Sequence, residues 1–277
     1  MLTLELGTDG WPLMTQSVTP PAIYLDHWAV MDFAERDRER FTSTLLRRNG
    51  TLLVSWFHLL EFSKVKSPKT ADAVEEFLEG LERHVAFLDP DPGKVVDSED
   101  AAWGGRSGGG HPALDGRWLD VLSKCATPPA VFSFKGLIRI AQKELDAQWT
   151  SYETTMARTS GLLGQRRDQY RQDKNYARRI DAAANGAVLP APTRYVIHEV
   201  MNDLIRDART VMGPTQWADY GHTIVAVSYA DIALLDKGWF HRAEEARKRL
   251  VAANLCSRFA HIYSPRTLDE FWSAFDV

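Results

Sequence analysis

The chain has 277 residues, 44% of them apolar and 25% charged, and a formal net charge of -4. That composition supports a large buried core and excludes a uniformly basic nucleic-acid-coating surface, though not a local basic face. The two cysteines, Cys125 and Cys256, lie too far apart for a zinc motif or a disulfide framework, and no uncharged apolar run nears the roughly 18 residues a membrane span needs. "MLTLELGTDGW" lacks the basic start and apolar stretch of a secretory signal, so the expected location is cytoplasmic, with no membrane partner.

After a Gly/Pro-punctuated lead, "PAIYLD" (21–26) reads as a short strand ending in Asp26, followed by a helix from Ala29 that Arg47, Arg48 and Gly50 close. "TLLVS" is a second strand, with Ser55 placed to cap "WFHLLEFSKVK"; Thr70 is the expected cap of a further helix, and "VAFLDP" is a third strand. Strand and helix alternate, as in a parallel sheet with crossover helices. Residues 91–129, with "WGGRSGGGHPALDG", read as a mobile loop. Residues 133–182 read as polar helix, with ten basic against six acidic side chains. Among the basic ones are Arg158, Arg166, Arg167, Arg171, Lys174, Arg178 and Arg179, candidates for a nucleic-acid-binding face, with Trp149, Tyr152, Tyr170 and Tyr176 as candidate stacking groups. The plain alternatives are a solvated helix face and aromatic residues that anchor the helices. Helices over 193–211 and 215–229, the strand "DIALLD", a helix from Gly238, the strand "AHIYS" and a closing helix "LDEFWSAF" complete the chain. The expected fold is α/β with five parallel strands, built from residues 1–92 and 190–277 and interrupted by an insertion over 93–189.

In such sheets ligands gather at the carboxyl ends of the strands. Asp26 and Asp236 end the first and fourth strands, Glu61 lies on the helix after the second, and Asp219 opens the helix before the fourth. Four carboxylates converging without cations repel one another, and Mg²⁺ or Mn²⁺, which prefer oxygen ligands, would relieve this. Metal-assisted attack of water on a phosphodiester is the chemistry then implied. Each acid has a plainer role as well: helix capping for Asp26, pairing with Lys64 for Glu61, a helix N-terminus for Asp219 and a turn for Asp236. His27, His58 and His222 lie near these acids in sequence, with hydrogen bonding as the expected role of each; His222, three residues beyond Asp219, is the candidate auxiliary group.

The stretches "IYLDHW", "LLVSWFHLLEFSK", "WADYGHTIVAVSYADIALLDKGW" and "AHIYSPRTLDEF" resemble the motifs of PIN-domain nucleases over a little more than half the chain. The resemblance implies an α/β/α sandwich, Mg²⁺ or Mn²⁺ as cofactor, and Asp26, Glu61, Asp219 and Asp236 as catalytic, metal-holding acids. It implies hydrolysis of RNA to leave a 5′-phosphate, in a toxin-like or defence-related setting, with structure-selective cutting of DNA as the alternative. It also admits an inhibitory protein partner and a homo-oligomer. Leu234 stands where the family often has Thr or Ser two residues before the fourth acid, which leaves open that Asp231 takes the place of Asp236. A haloacid-dehalogenase-type phosphatase is set aside, since it needs an acid two residues after the first and Trp28 stands there. A reading from another class is a non-catalytic module that holds RNA, DNA or a protein through the basic segment.

Overall fold

The structure, a computed structural model, describes residues 1–6, 12–81, 83–104, 111–116, 118–125, 133–189 and 192–276. Its elements in chain order are β1 (Leu2–Leu6), β2 (Pro12–Gln16), β3 (Ala22–Leu25), α1 (His27–Asp32), a π-helical turn (Phe33–Asp37) and α2 (Arg38–Arg47). Then come β4 (Thr51–Ser55), α3 (Trp56–Phe62), α4 (Pro68–Gly80), β5 (Val85–Leu88), α5 (Pro92–Trp103), α6 (Trp118–Cys125), α7 (Leu137–Glu144), α8 (Asp146–Gln172) and α9 (Lys174–Asp181). The last are α10 (Thr193–Arg206), α11 (Pro214–Tyr229), β6 (Ile232–Leu234), α12 (Lys237–Ala252), β7 (His261–Tyr263) and α13 (Leu268–Phe275).

Strands β3 to β7 form one parallel sheet in the order β5-β4-β3-β6-β7, the α/β architecture the alternation predicts. Both faces are covered, which is why the strands read as continuous apolar runs rather than alternating ones. Ile23, Leu25, Leu52, Val54, Val85 and Phe87 face a core that contains Phe33, Phe41, Phe77, Phe271 and Phe275. The intervening residues Ala22, Tyr24, Leu53, Ala86 and Leu88 face a second core filled from α10, α11 and α12. Burying each of these large side chains contributes roughly 1.5–3 kcal/mol.

Three local expectations are corrected. The lead before β3 contains an antiparallel hairpin, β1 with β2. Ser67, not Thr70, caps α4, its side chain accepting from the Thr70 amide. Residues 91–129, expected as loop, contain α5 and α6; Asp91 caps α5, with Pro92 in its first turn. The Gly-rich residues 105–110 lie outside the described residues. Ser55 does cap α3, as expected, in a capping box with His58.

The segment over 93–189 is built into both layers. Trp118, Leu122, Phe134, Leu137 and Ile138 enter the first core, and Leu163 and Ile180 enter the second. Glu99 of α5, fully buried, accepts hydrogen bonds from Thr193 Oγ1 and Tyr229 Oη, both at 2.7 Å, and so ties α5 to α10 and α11.

Strand order places the site. The chain builds β3, β4 and β5 toward one edge, then returns to lay β6 against the other side of β3. The connections therefore diverge between the carboxyl ends of β3 and β6, the position at which open α/β sheets bind ligands. The pairing of Leu25 with Leu234 sets those two ends level.

Candidate metal centre

Asp26 is the first residue beyond β3 and caps α1, its Oδ1 accepting from the His27 amide at 2.8 Å. Its other oxygen accepts from the Asp236 amide at 3.2 Å, and its own amide donates to Leu234 O, so the ends of β3 and β6 are stitched together at this carboxylate. Asp26 shares with Tyr24 the strand face that looks toward α11. Helix α11 supplies Asp219 and, one turn on, His222. The Nε2 atom of His222 lies 3.4 Å from Asp219 Oδ1 and 3.9 Å from Asp26 Oδ1. Ligand atoms of Asp26, Asp219 and His222 all fall within 4.8 Å of one another, a set able to hold a metal ion.

Glu61 of α3 adjoins this group. Its Oε2 is buried, has no hydrogen-bond partner, and lies 3.9 Å from His27 Nδ1. Lys64, its expected partner, has its ammonium 3.2 Å from the centre of the Trp149 ring. Burial, with Asp26 and Asp219 adding repulsion and His222 opposing, pushes the Glu61 carboxyl up to about 8. Burial likewise pushes Asp26 up to about 6, with Asp219 and Asp236 adding and His222 opposing. Burial alone would lower His222, yet the hydrogen bond to Asp219 and the charges of Asp26, Asp219 and Glu61 together raise it. The three carboxyls therefore surround a place where positive charge is lacking, and their charges favour the protonated form of His222.

Tyr24, which the sequence reading passes over, supports His222 from behind: its hydroxyl lies 2.7 Å from His222 Nδ1. That bond directs Nε2 at the carboxylates, the outer-sphere arrangement that orients imidazole ligands. Tyr24→Phe is expected to weaken divalent-cation affinity about 10- to 100-fold with little change in fold, measured by isothermal titration with Mn²⁺. His58, fully buried, is structural, as expected of it: its Nδ1 accepts from the Ser55 amide at 3.0 Å, leaving Nε2–H to donate to Leu25 O at 2.7 Å. Burial, followed by repulsion from His222, holds it well below the usual imidazole range.

Asp236 adjoins the cluster: its amide donates to Asp26, its charge helps to raise Asp26, and its Oδ1 caps α12 by accepting from the Trp239 amide at 2.8 Å. Asp231 is at the opposite, amino end of β6, where it accepts from the Ala22 amide at 2.7 Å and pairs with Arg258 at 2.8 Å. The structure does not bring it to the other acids; it is the strand-entry residue that its turn context suggests. Along α8 and α9, Arg158, Arg166, Arg171, Lys174, Arg178 and Arg179 are exposed. Arg171 pairs with Asp168 at 3.1 Å, and the Arg179 guanidinium lies 5.4 Å from the Tyr176 ring centre. Arg167 is half-buried and its Nε donates to Leu204 O at 3.0 Å, docking α8 on α10. Of the candidate stacking groups, Trp149 donates to Glu153 within α8, and Tyr170 donates to Asp181, which ties α8 to α9.

A cleft of about 460 Å³ opens beside the cluster, between α3, α8, α10, α11 and the turn at Pro90–Pro92. Gly221 lines the cleft, and α11 approaches Pro90 so closely there that a Cβ would meet Pro90 O at 2.5 Å. Gly221→Ala is expected to cost about 1–3 kcal/mol by overpacking, read as a lower urea midpoint.

No family model, curated protein or solved structure matches this chain. The five-stranded parallel sheet with its buried carboxylate group is compatible with a PIN-like arrangement. Among the described residues no helix is long and apolar enough to cross a membrane.

Proposed function

We propose that the chain is a PIN-like, metal-dependent phosphodiester hydrolase acting on nucleic acid, with RNA as the leading substrate and DNA as the alternative. The observation that carries this reading is the convergence of Asp26, Asp219 and His222 within 4.8 Å at the strand-order switch, beside a Glu61 oxygen that is buried without a partner. Two carboxylates and an imidazole suit a divalent cation of mixed oxygen and nitrogen preference, so Mn²⁺ is favoured over Mg²⁺.

Asp26, Asp219 and His222 Nε2 would hold the ion. When bound, it supplies positive charge against the charge that develops on a phosphodiester and a means of ionising water near neutral pH. The chain's own groups do the rest. Glu61 adjoins the ion's site with a buried oxygen that has no hydrogen-bond partner, placed to take or give a proton there. Tyr24 holds the imidazole in place. Asp26 is fixed by two backbone amides, so little reorganisation is left for the moment of reaction. The exposed cations of α8 and α9 would steer the strand's phosphates. Binding should therefore weaken with salt, at a log-log slope of about -0.7 per neutralised phosphate for single strands.

The test is cleavage of labelled single-stranded RNA, folded RNA, single-stranded DNA and flapped DNA with Mn²⁺, Mg²⁺ or EDTA. Native chain, Asp26→Asn and Asp231→Asn would be compared. Cutting that needs metal, is lost in Asp26→Asn and persists in Asp231→Asn supports the proposal and names the substrate. Equal activity in native chain and Asp26→Asn, or none on any substrate, refutes it. Nucleic-acid binding without cutting would favour the non-catalytic module.

A further inference from the structure

We propose that the cleft beside the carboxylate cluster seats one unstacked nucleobase of the strand to be cut, which makes the substrate a single strand or an unpaired stretch; this rests on the phosphodiester reading above. At about 460 Å³ the cleft falls within the size range of small-molecule sites. Five of its fourteen lining residues are aromatic: Trp56 and Phe57 from α3, Tyr152 from α8, and Trp217 and Tyr220 from α11. Such faces bind bases by stacking.

Polar chemistry narrows the occupant. Asp91 is the acid of the lining, and its carboxylate is engaged in capping α5 through the amides of Gly93 and Lys94. Lys94 lines the same cleft. A cation beside an aromatic slot suits a base that carries phosphates.

Continuity with the cluster fixes the source of that base. Phe57 meets His222 edge-on, ring centres 6.0 Å apart, and Tyr152 packs on Phe57 at 5.1 Å. Gly221 of the cleft wall directly precedes His222. A base in the cleft thus belongs to a nucleotide next to a phosphate at the cluster. Because a paired base cannot present both faces to protein, duplex is excluded from the slot unless the base is extruded.

The test uses the full chain with Asp26→Asn, so that strands stay intact, and short RNA and DNA strands carrying 2-aminopurine at successive positions. Quenching at one position is expected, with single strand preferred over duplex. Thr159→Trp, which adds a ring to the cleft from the face of α8, should weaken binding about tenfold or more, as should an abasic site at the quenched position. The abasic strand should lose nothing further in Thr159→Trp, which separates blockage from misfolding. Uniform fluorescence along the strand, equal affinity for duplex, or undiminished binding of the abasic strand overturns the proposal. If the native chain cuts the abasic strand normally, the base slot fails while the hydrolase stands; if the slot binds but the native chain never cuts, the hydrolase fails while the slot stands.

Discussion

Asp219→Asn is expected to lower Mn²⁺-dependent strand cleavage by at least about a hundredfold while leaving the Tm in EDTA unchanged or higher. The loss follows from removing one of three groups that can hold the ion, a larger change than disturbing an outer-sphere partner, which alone costs 10- to 100-fold. The preserved Tm follows from electrostatics. Asp219 raises both Asp26 and Glu61, so in the metal-free chain it is a repulsive neighbour, offset by its bond to His222. An amide keeps the shape and removes the repulsion. Cleavage within about threefold of native would exclude Asp219 from the centre, and a collapse of Tm in EDTA would mean that it serves the fold. Kinetics and thermal melts on one preparation decide between these.

The metal-free chain should lose stability as pH rises from about 6.5 to about 8, and Mn²⁺ should restore more Tm at the upper end than at the lower. Glu61 sits at about 8 in the folded chain against an ordinary 4.5, and His222 is raised too, so the folded state binds more protons than the unfolded state across this window. Stability then falls with pH. Burial draws His27 down to about 4 and His58 well down. Their contributions have the opposite sign, but they end near the ordinary imidazole value of 6.5. Asp26, raised to about 6, has lost most of its effect by then as well. The slope above 6.5 therefore belongs chiefly to Glu61 and His222, and amounts to no more than a few kcal/mol. Glu61→Gln, neutral at every pH, should flatten it and raise the Tm in EDTA at pH about 8. Metal binding should also release protons in the native chain. A Tm independent of pH over this range, measured by calorimetry in EDTA, would show that Glu61 is solvated.

Much of this arrangement could be read from sequence, for identifiable reasons. Strands buried on both faces leave continuous apolar runs, and an aspartate directly after such a run, as at Asp26 and Asp236, is conspicuous. The i, i+3 relation of Asp219 and His222 put both on one side of α11, though nothing local set His222 inside the cluster rather than beside it. Tyr24 could not be found that way, because its partner is 198 positions distant. It is one of a run of apolar strand residues, and only the packing of α11 on β3 gives its hydroxyl a task. Helix α5 was hidden by the glycines that follow it, although Asp91 before Pro92 is a helix-start signal. The hairpin β1–β2 lies ahead of the regular alternation and pairs only with itself, so the alternation does not point to it. By sequence Arg167 is one more surface cation; the α10 carbonyl that holds it is distant in the chain.

That hairpin also settles what the sheet's β5 border can do. Gln16, at the end of β2, accepts from the Phe87 amide through Oε1 at 2.7 Å and donates from Nε2 to Asp115 O at 2.9 Å. Alongside, the Asp115 amide donates to Phe87 O and the Asp89 amide to Ala113 O. The outward backbone groups of Phe87 and the Asp89 amide are thus already committed within the chain. An open border of this kind invites edge-to-edge polymerisation, and here a single glutamine and a three-residue crosspiece act as its selvedge. Gln16→Ala should leave the carboxylate cluster untouched yet increase the tendency of concentrated protein to form fibrils.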